Sequence, residues 1–224
     1  MGDIGHYLPL LLRGTEFTVV VCAISGVIGS IVGLVFGTAR TSPSRVARAL
    51  SAVYINFIRG VPPLVILFFA YFVIPLAVPG VTFTIGFTAV VALSVYAGAY
   101  MAEIVRGSIE AIPTGQSEAA EALGMGYLAK LRYVVLPQAM KVAVPPAIGF
   151  LIALVKASSL TSVINAVDLT KAGRIVSTQN QDPLTTMLVV AALYFVISYP
   201  ISILGRWYER RLGVGGFGTS GGWV

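Results

Sequence analysis

The sequence predicts an all-α integral membrane protein with five transmembrane helices. Of its 224 residues, 57% are hydrophobic and only 11% are charged, whereas soluble domains carry about 25% charged residues. Long uncharged runs recur along the chain, and one polar segment, Glu118 to Pro137, separates them. Because a helical crossing of the bilayer needs roughly 20 mostly apolar residues, the uncharged runs are interpreted as membrane spans.

The first three spans come from two uncharged stretches. Span one is the run Phe17 to Ala39. No charged residue lies between Arg59 and Glu103, and that stretch is too long for one crossing at ~1.5 Å per residue. It contains the proline- and glycine-bearing segment Pro75 to Thr82, which is predicted to be the turn between spans two and three.

The last two spans follow the polar segment. Span four runs from about Pro137 to Leu160 and has the weakest signal, because Lys141 and Lys156 interrupt it. Span five is the uncharged run Pro183 to Gly205. The five predicted crossings place the two termini on opposite sides of the membrane.

The basic residues predict the orientation. Loops on the cytoplasmic side carry an excess of lysine and arginine. With the N-terminus outside, eleven of the fifteen basic residues fall on the inner side, and the reverse orientation inverts this bias. The eleven are Arg40, Arg45, Arg48, Arg59, Arg106, Lys130, Arg132, Lys141, Arg206, Arg210 and Arg211. The polar segment is therefore expected in the cytoplasm.

The spans divide the chain into three parts. Residues 1–16 are expected to be an extracytoplasmic N-terminal segment, and residues 17–212 a transmembrane domain with a polar loop at about 111–136. Residues 213–224 are rich in glycine and are expected to be a flexible tail. The tail contains a GxGxxG pattern from Gly213 to Gly218, but the sequence predicts no strand before it and no helix after it, which excludes a dinucleotide site.

Span one carries a stripe of small residues. Gly29, Gly33 and Gly37 recur at intervals of four, so they share one helical face and allow another helix to approach closely. Packing against another span of the same chain is the expected use. A contact with a second subunit is the alternative.

The polar segment is predicted to begin with a short helix. Pro113 and Thr114 can open that helix, since proline fits the first helical turn. Glu118 and Glu121 then fall near its positive N-terminal end, where acidic side chains are stabilising.

A second short helix is expected after a break at Gly124 and Gly126. Residues 127–135 place apolar side chains at helical spacing, and Pro137 is expected to begin span four. Two short amphipathic helices of this kind can dock into a groove on another protein. A helical loop lying on the membrane surface is the alternative.

The spacing within this segment resembles a known pattern. Glu118-Ala119-Ala120, three residues, Gly124, nine residues and then Val134-Val135-Leu136-Pro137 resembles the EAA loop of bacterial ABC importer permeases. The first aliphatic position carries a conservative valine. The stretches YMAEIVRGSIEAIPTGQSEAAEALG, VVLPQAMKVAVPP and INFIRGVPPLVILFF are similar to the histidine/glutamine-type, polar amino-acid branch of these permeases. The resemblance extends from about Phe17 to Leu212.

The resemblance implies a type I ABC importer (MetI-like) fold, in which this loop forms the coupling helices. Its members couple to a separate ATPase through the residues that match Glu118, Ala119, Ala120 and Gly124, and the nearby Gly126 is included in the expected contact. The chain would then be a permease subunit of an importer for a polar amino acid in the bacterial cytoplasmic (inner) membrane, and not an enzyme by itself.

The resemblance also implies the partners. They are two ABC ATPase subunits that bind ATP and magnesium, a second permease copy or paralogue, and an extracytoplasmic substrate-binding protein. No cofactor is expected in this chain, no nucleic acid and no metal, since His6 is the single histidine and has no cluster of ligands around it.

Five residues near the inner side are expected to have structural roles. Glu103 and Arg106 are three apart near the inner end of span three and can form an ion pair. Arg59, Gly60 and Pro62 belong to a motif of the family at the start of span two. Arg59 is expected to anchor at the membrane interface, with Pro62 in the first turn of the helix.

Lys156 is the candidate for a substrate pathway. A charge within a span usually faces a partner or a water-filled cavity, and snorkelling to the outer interface is the alternative. The hydroxyl residues that follow can bond across helices or line a path: Ser158, Ser159 and Thr161. The family often has an acidic residue where this chain has Ala157 and an asparagine where it has Gly149, which argues against an acidic grip on a cationic substrate.

Other function classes have little support in the sequence. A secondary transporter or channel usually shows internal repeats and several ionisable residues at mid-membrane, and neither feature is visible. A membrane enzyme is disfavoured because the sequence shows no catalytic constellation. An exporter is disfavoured because the polar loop resembles that of importers. Other amino-acid-like solutes, such as opines, remain alternative cargoes.

Overall fold

The computed structural model of the protein describes residues 4–78 and 82–212, and every regular element in these ranges is helical. The predicted tail (213–224), its GxGxxG pattern and part of the predicted turn (79–81) lie outside the described residues. The helices are α1 (Ile4–Arg40), α2 (Arg45–Gly60), α3 (Pro63–Phe68), α4 (Ile74–Ala77), α5 (Ile85–Glu110), α6 (Thr114–Ala122), α7 (Tyr127–Lys130), α8 (Leu136–Ala157), α9 (Leu169–Asn180) and α10 (Pro183–Leu212).

Within these ranges, four continuous helical stretches are long and apolar enough to cross a bilayer: Gly5–Arg40, Ile85–Glu110, Tyr127–Ile164 and Pro183–Arg211. A bent pair, Arg45–Gly60 followed by Pro63–Ala77 at an angle of 104°, supplies a fifth crossing. The turn after this pair begins later than the sequence predicts, because Pro75 lies inside α4, which continues to Ala77.

The predicted glycine stripe of α1 packs within the chain, against α5. A Cβ atom built at Gly29 would lie 2.5 Å from the Ala97 Cβ, and one built at Gly33 would lie 2.3 Å from the Met101 Cβ. Because positions four apart on α1 meet positions four apart on α5 in the same order, the two helices run parallel. The chain between two parallel spans must cross the membrane, and the bent pair supplies that crossing, which agrees with the predicted count of five.

Two π-helical segments precede prolines. Phe69–Val73 comes before Pro75, and Leu131–Val135 comes before Pro137. A proline inside a helix lacks its N–H and clashes with the carbonyl four residues earlier. In both cases that carbonyl belongs to the π segment, where the wider turn relieves the clash and lets the helix continue.

Two helices were not predicted from the sequence. The first, α2, lies in the region assigned to the loop after span one. It buries Ser51 and Ile55 against the protein, and the Tyr54 hydroxyl donates to the Val95 carbonyl oxygen at 2.8 Å. The second, α9, follows a 3₁₀ segment, Ser158–Ile164, and packs against α1 and α10. Neither helix could be found from a search for long apolar runs, since both are short and amphipathic.

Asp168 fixes the start of α9. Its Oδ1 accepts a hydrogen bond from the Lys171 N–H at 2.8 Å. The N–H of Leu169, the residue after Asp168, donates to the Thr18 hydroxyl oxygen of α1 at 3.1 Å. The side chain is fully buried, and Oδ2 accepts no hydrogen bond from the described residues. Burial raises the pKa of this carboxyl to about 6, against the lowering effect of backbone N–H groups at Lys171 and Thr170.

The α1–α5 contact predicts opposite effects for two glycine substitutions. Gly33→Ala should destabilise the protein by about 1–3 kcal/mol, because the added methyl group overlaps α5. Gly149→Ala should be neutral or stabilising by up to about 1 kcal/mol, since nothing lies near its Cβ position and alanine favours the helix. Thermal unfolding in detergent measures both, and an equal melting temperature for the two variants would contradict the packing.

The buried Asp168 predicts a pH-dependent stability. Its pKa is about 6 in the folded protein and 3.8 in the unfolded chain, so the proton is held more tightly by the folded state. This stabilisation is present below about pH 4 and is lost as the pH rises through about 6. Asp168→Asn keeps a good N-cap and removes the titration. The melting temperature should fall more between about pH 5 and 7.5 in the parent than in this variant, and equal slopes would refute the assignment.

Candidate functional site

The central loop, residues 111–136, connects α5 to α8. Only three residues separate the end of α5 from α6, and Pro113 takes the N-cap position of α6 as the sequence predicts. The helix ends in a tight reversal. The Met125 N–H donates to the Ala120 carbonyl at 3.1 Å and the Gly124 N–H to the Glu121 carbonyl at 2.8 Å, which is the Schellman pattern.

Gly124 makes this reversal possible. Its φ of +75° lies in the left-handed region, which a residue with a side chain adopts at a cost of about 1–2 kcal/mol. Gly126, by contrast, has a φ of −70° and serves as the N-cap of α7. The predicted break at the two glycines is present, but only Gly124 needs to be glycine for a conformational reason.

The second limb of the loop differs from the prediction. We expected a second short helix that ends before Pro137, and this expectation is wrong, because α7 continues through the π segment into α8 as one helical stretch from Tyr127 to Ile164. The π segment just before Pro137 removes the break that proline normally causes. The second limb is therefore the end of a membrane span that extends beyond the bilayer.

Two side-chain contacts hold the limbs together. Lys130, at the end of α7, forms an ion pair with Glu121 of α6. The Gln138 side-chain amide of α8 donates to the Gln116 side-chain oxygen of α6 at 3.2 Å. Each contact joins a residue before the Gly124 reversal to a residue after it, so α6 is fixed relative to the span that follows it.

The tip of the loop exposes apolar side chains. Leu123 is 83% exposed and Leu128 is 76% exposed, and Glu118 and Ala119 are also exposed. Ala120, in contrast, is only 3% exposed. The structure thus places Ala120 on the buried face of α6 and brings Leu123 and Leu128 to the surface. The exposure of both leucines could have been predicted from the sequence, since they are large apolar residues beside the two glycines of a polar segment.

A charged cluster lies at the end of α5, directly before the loop. The expected pair is present, with 2.6 Å between the Arg106 guanidinium and Glu103, and Arg106 also pairs with Glu110. Arg59, in the last turn of α2, reaches Glu103 at 3.5 Å and lies over the Tyr100 ring at 5.4 Å. The cluster therefore joins the end of α2 to the end of α5.

The other two motif residues shape the bend between α2 and α3. Gly60 ends α2, and a Cβ atom there would meet nothing within 4 Å. Pro62 is the N-cap of α3, and Pro63 occupies its first turn. Two consecutive prolines cannot continue α2 as a straight helix, so the sequence itself produces the 104° bend.

The structure separates Lys156 from the hydroxyl residues that follow it. Lys156 is exposed in the last turn of α8. Ser158 and Thr161 are buried, and their hydroxyls donate at 2.8 and 2.7 Å to carbonyl oxygens three residues earlier. Ser159 does the same toward the Lys156 carbonyl at 2.7 Å. Within a single chain these hydroxyl groups complete the 3₁₀ segment and do not line an open cavity.

Aromatic rings pack α5 against α8. Tyr100 stacks on Phe150 with 5.1 Å between ring centroids and 12° between ring planes, and Tyr96 lies 4.8 Å from Tyr100. Since Arg59 lies over Tyr100, the charged cluster and this stack form one continuous set of contacts. The sequence analysis missed this link, because it depends on residues from three distant segments.

Comparison with known proteins identifies relatives over most of the chain. Residues 7–214 match the family described as "Binding-protein-dependent transport system inner membrane component". A probable amino-acid ABC transporter permease protein of Bacillus subtilis (YckA) is 35% identical over 203 residues, which cover 91% of this chain and 89% of the relative. The glutamine transport system permease protein GlnP of Escherichia coli is 35% identical over 205 residues, covering 92% and 94%.

Solved structures share the fold. A crystal structure of an amino acid ABC transporter with histidines superposes with a TM-score of 0.86 at 32% identity and covers 94% of this chain and 99% of that chain. An inward-facing structure of the MetNI methionine ABC transporter superposes with a TM-score of 0.77 at 27% identity, with the same coverage. The overall fold of this chain is thus shared with both transporters.

The two loop glycines predict different outcomes for one substitution. Gly124→Ala should strain the reversal by about 1–2 kcal/mol, whereas Gly126→Ala requires no unusual backbone conformation. Hydrogen exchange followed by mass spectrometry should show faster exchange of the loop amides around residues 120–128 in the first variant only. Equal protection in both variants would mean that the left-handed turn does not form.

Proposed function

Since this chain belongs to the family of binding-protein-dependent transport system inner membrane components, we propose that it is the permease subunit of an ATP-driven importer for a polar amino acid. It is a multi-pass membrane protein with the MetI-like fold of type I ABC importers. Permease subunits of this kind are not catalytic themselves, so the energy for transport comes from another chain.

The observation that carries the proposal is the exposed, stiffened central loop. An apolar tip formed by Leu123 and Leu128 is costly to leave in water and suits a groove on a partner protein. The partner is an ABC ATPase subunit, which binds ATP and magnesium. Glu118 and Ala119 lie on the exposed face of α6 and contribute to the same contact. Ala120 lies on the buried face of α6, and Gly124 forms the reversal that follows the helix.

The internal contacts of the loop allow it to transmit force. Lys130 and Gln138 tie α6 to α7 and α8, and the short connection from α5 leaves little slack on the other side. A displacement of α6 by the ATPase therefore moves the inner ends of α5 and α8 together. The charged cluster around Glu103 extends this movement to α2, so three helices respond to one docking contact.

The basic residues support an orientation with the N-terminus outside and the central loop in the cytoplasm. A single copy leaves most of α10 exposed, and five spans with one loop do not enclose a pathway. A second permease copy or paralogue completes the pore, and a substrate-binding protein delivers the cargo from outside. A secondary transporter or channel is disfavoured because the family works with binding proteins.

The substrate is a polar amino acid, and the residues around Lys156 favour one without a strongly cationic side chain. Ala157 and Gly149 provide no acidic group beside Lys156, so a strongly cationic side chain finds no counter-charge there. Lys156 is exposed on one chain and is available to a cavity between two permease copies. Opine-like solutes share the amino-acid backbone and remain within the same chemical class.

The test compares two exposed leucines at opposite ends of the protein. Leu123→Ser removes an apolar contact from the loop tip, whereas Leu184→Ser makes the same change at the start of α10, where the leucine is 73% exposed. Losing a buried leucine costs about 1.5–3 kcal/mol, so ATPase binding to the first variant should weaken roughly 10- to 100-fold. ATP-driven uptake into vesicles should fall with it, and Leu184→Ser should retain both.

The measurement is made on the tagged permease purified gently from its native membrane together with its partners. Co-purified ATPase is quantified by mass spectrometry, and uptake of labelled amino acids is followed with and without ATP. Retention of the ATPase and of full uptake by Leu123→Ser would refute the docking role. Uptake by the parent without ATP would refute the importer itself.

A further inference from the structure

A groove of about 340 Å³ runs along the outside of the α1–α5 contact. Its walls are almost wholly hydrocarbon, with Ser94 contributing a hydroxyl. One end is closed by Tyr54 of α2, whose ring lies 4.4 Å from that of Phe36. The residues that carry the argument are Ile28, Val32 and Phe36 on α1 and Phe87, Val91 and Val95 on α5.

The groove leads toward a pair of arginines. Ile28, Val32 and Phe36 are four residues apart, so they form one stripe along α1, and Arg40 is the next position of the same stripe. From Ile28 to Arg40 the helix rises ~18 Å, which is a little more than half of the ~30 Å hydrocarbon core. The length fits a ligand from one leaflet, with its polar end at Arg40.

The second arginine stands across the turn from the first. Arg45 begins α2 and is exposed, and Arg40 ends α1. Neither makes an ion pair within the part of the chain that the structure describes. The sequence has no acidic residue between Glu16 and Glu103, and Glu103 is already paired with Arg106 and Arg59. Arg40 lies near enough to interact with Glu103 electrostatically, but that carboxylate is shared with Arg106 and Arg59. This corner therefore carries a net positive charge.

The geometry of α2 places this corner at the membrane boundary. The helix is bent by 104° from the α3–α4 segment that crosses the bilayer, so it lies closer to the membrane plane than to its normal. Opposite its protein-facing side it exposes an apolar stripe, formed by Val46, Leu50, Val53 and Phe57. An amphipathic helix with these features lies in the interfacial layer, where lipid headgroups are found.

We propose that the groove binds one acyl chain of an anionic phospholipid, whose phosphate contacts Arg40 and Arg45. Charge complementarity selects an anionic lipid, because clustered arginines at a cytoplasmic membrane surface attract such headgroups. The groove selects a flexible hydrocarbon chain, because its lining is apolar and the stripe from Ile28 to Arg40 is about as long as one leaflet. The assignment to the cytoplasmic leaflet rests on the orientation in the proposed function. The site is a lipid site on the permease, separate from the central loop and from Lys156.

The probe is phosphatidylglycerol that carries a photoreactive diazirine on its acyl chain. The complete transporter, with its ATPase subunits, is reconstituted in phosphatidylcholine vesicles that contain this lipid, irradiated and digested for peptide mapping. Label is expected in residues 28–36 and 87–95. Excess unlabelled phosphatidylglycerol should reduce it at least fivefold, and excess phosphatidylcholine should not. Equal competition by both lipids would overturn the proposal, because it would indicate ordinary solvating lipid.

Two variants test the two halves of the site. Val91→Trp fills the groove, and the double change Arg40→Gln with Arg45→Gln removes the charge. Each should reduce labelling severalfold. The matched controls are Val196→Trp, at a 62% exposed position of α10, and Arg174→Gln, at an exposed position of α9. Both controls should leave labelling unchanged. If the Val91→Trp permease fails to assemble with its partners, labelling of the arginine double variant tests the proposal by itself.

Two further outcomes would overturn the proposal. Unchanged labelling in the arginine variant would show that the charges do not hold the lipid. Absence of label together with crosslinks from α1 or α5 to a second permease would show that a second copy covers the groove. ATP-driven uptake by the parent protein, measured in the same vesicles, keeps the failures distinct. Absence of specific label in the parent with uptake intact refutes the lipid site alone, and specific label in the parent without any ATP-driven uptake refutes the importer.

Discussion

The close parallel contact between α1 and α5 is the constraint on which the rest of the structure depends. Gly29 and Gly33 bring the two backbones together, and the Ser25 hydroxyl donates to the Val90 carbonyl across the contact at 3.2 Å. Inside a bilayer, helices gain little from burying apolar surface, so close packing of small residues is what holds them. With α1 in place, α5 becomes the central helix, and α2, α3 and α8 pack against its remaining faces, whereas α10 packs on α8 and α9.

The position of α5 explains why the functional loop lies where it does. The helix ends in the charged cluster of Glu103, Arg106 and Glu110, and α6 begins after only three more residues. The cluster holds the inner end of α5 against α2 through Arg59. The loop is thus attached to the most closely packed helix of the protein on one side and to the uninterrupted α7–α8 helix on the other. Such an arrangement suits a segment that must transmit movement rather than absorb it.

Prolines determine how the spans bend and continue. Pro62 and Pro63 turn the chain between α2 and α3, whereas Pro75 and Pro137 lie within helices that continue after a π segment. The difference has a physical basis, since a π turn widens the helix and accommodates the proline ring. In a membrane protein the backbone groups that proline leaves free must still be satisfied. The bend produces an interfacial helix, and the continued helix carries the second limb of the central loop.

Much of the protein follows from the sequence by itself. The uncharged runs determined the number of spans, the spacing of three glycines determined a packing face on span one, and Gly124 determined the reversal in the loop. These features depend on local composition or on periodicity along one helix, which a sequence displays directly. The pattern from Glu118 to Pro137 likewise pointed to the family that the comparisons support.

Only the tertiary structure decided which side chains meet and which face outward. Ala120 and Leu123 are three residues apart in one polar segment, yet the first is buried and the second is exposed, because α6 packs against the π segment Leu131–Val135. The joining of Arg59 to Glu103, the short helices α2 and α9, and the groove that leads to Arg40 depend on distant segments packing together. A single sequence does not specify such contacts, since each requires the relative positions of two or three helices.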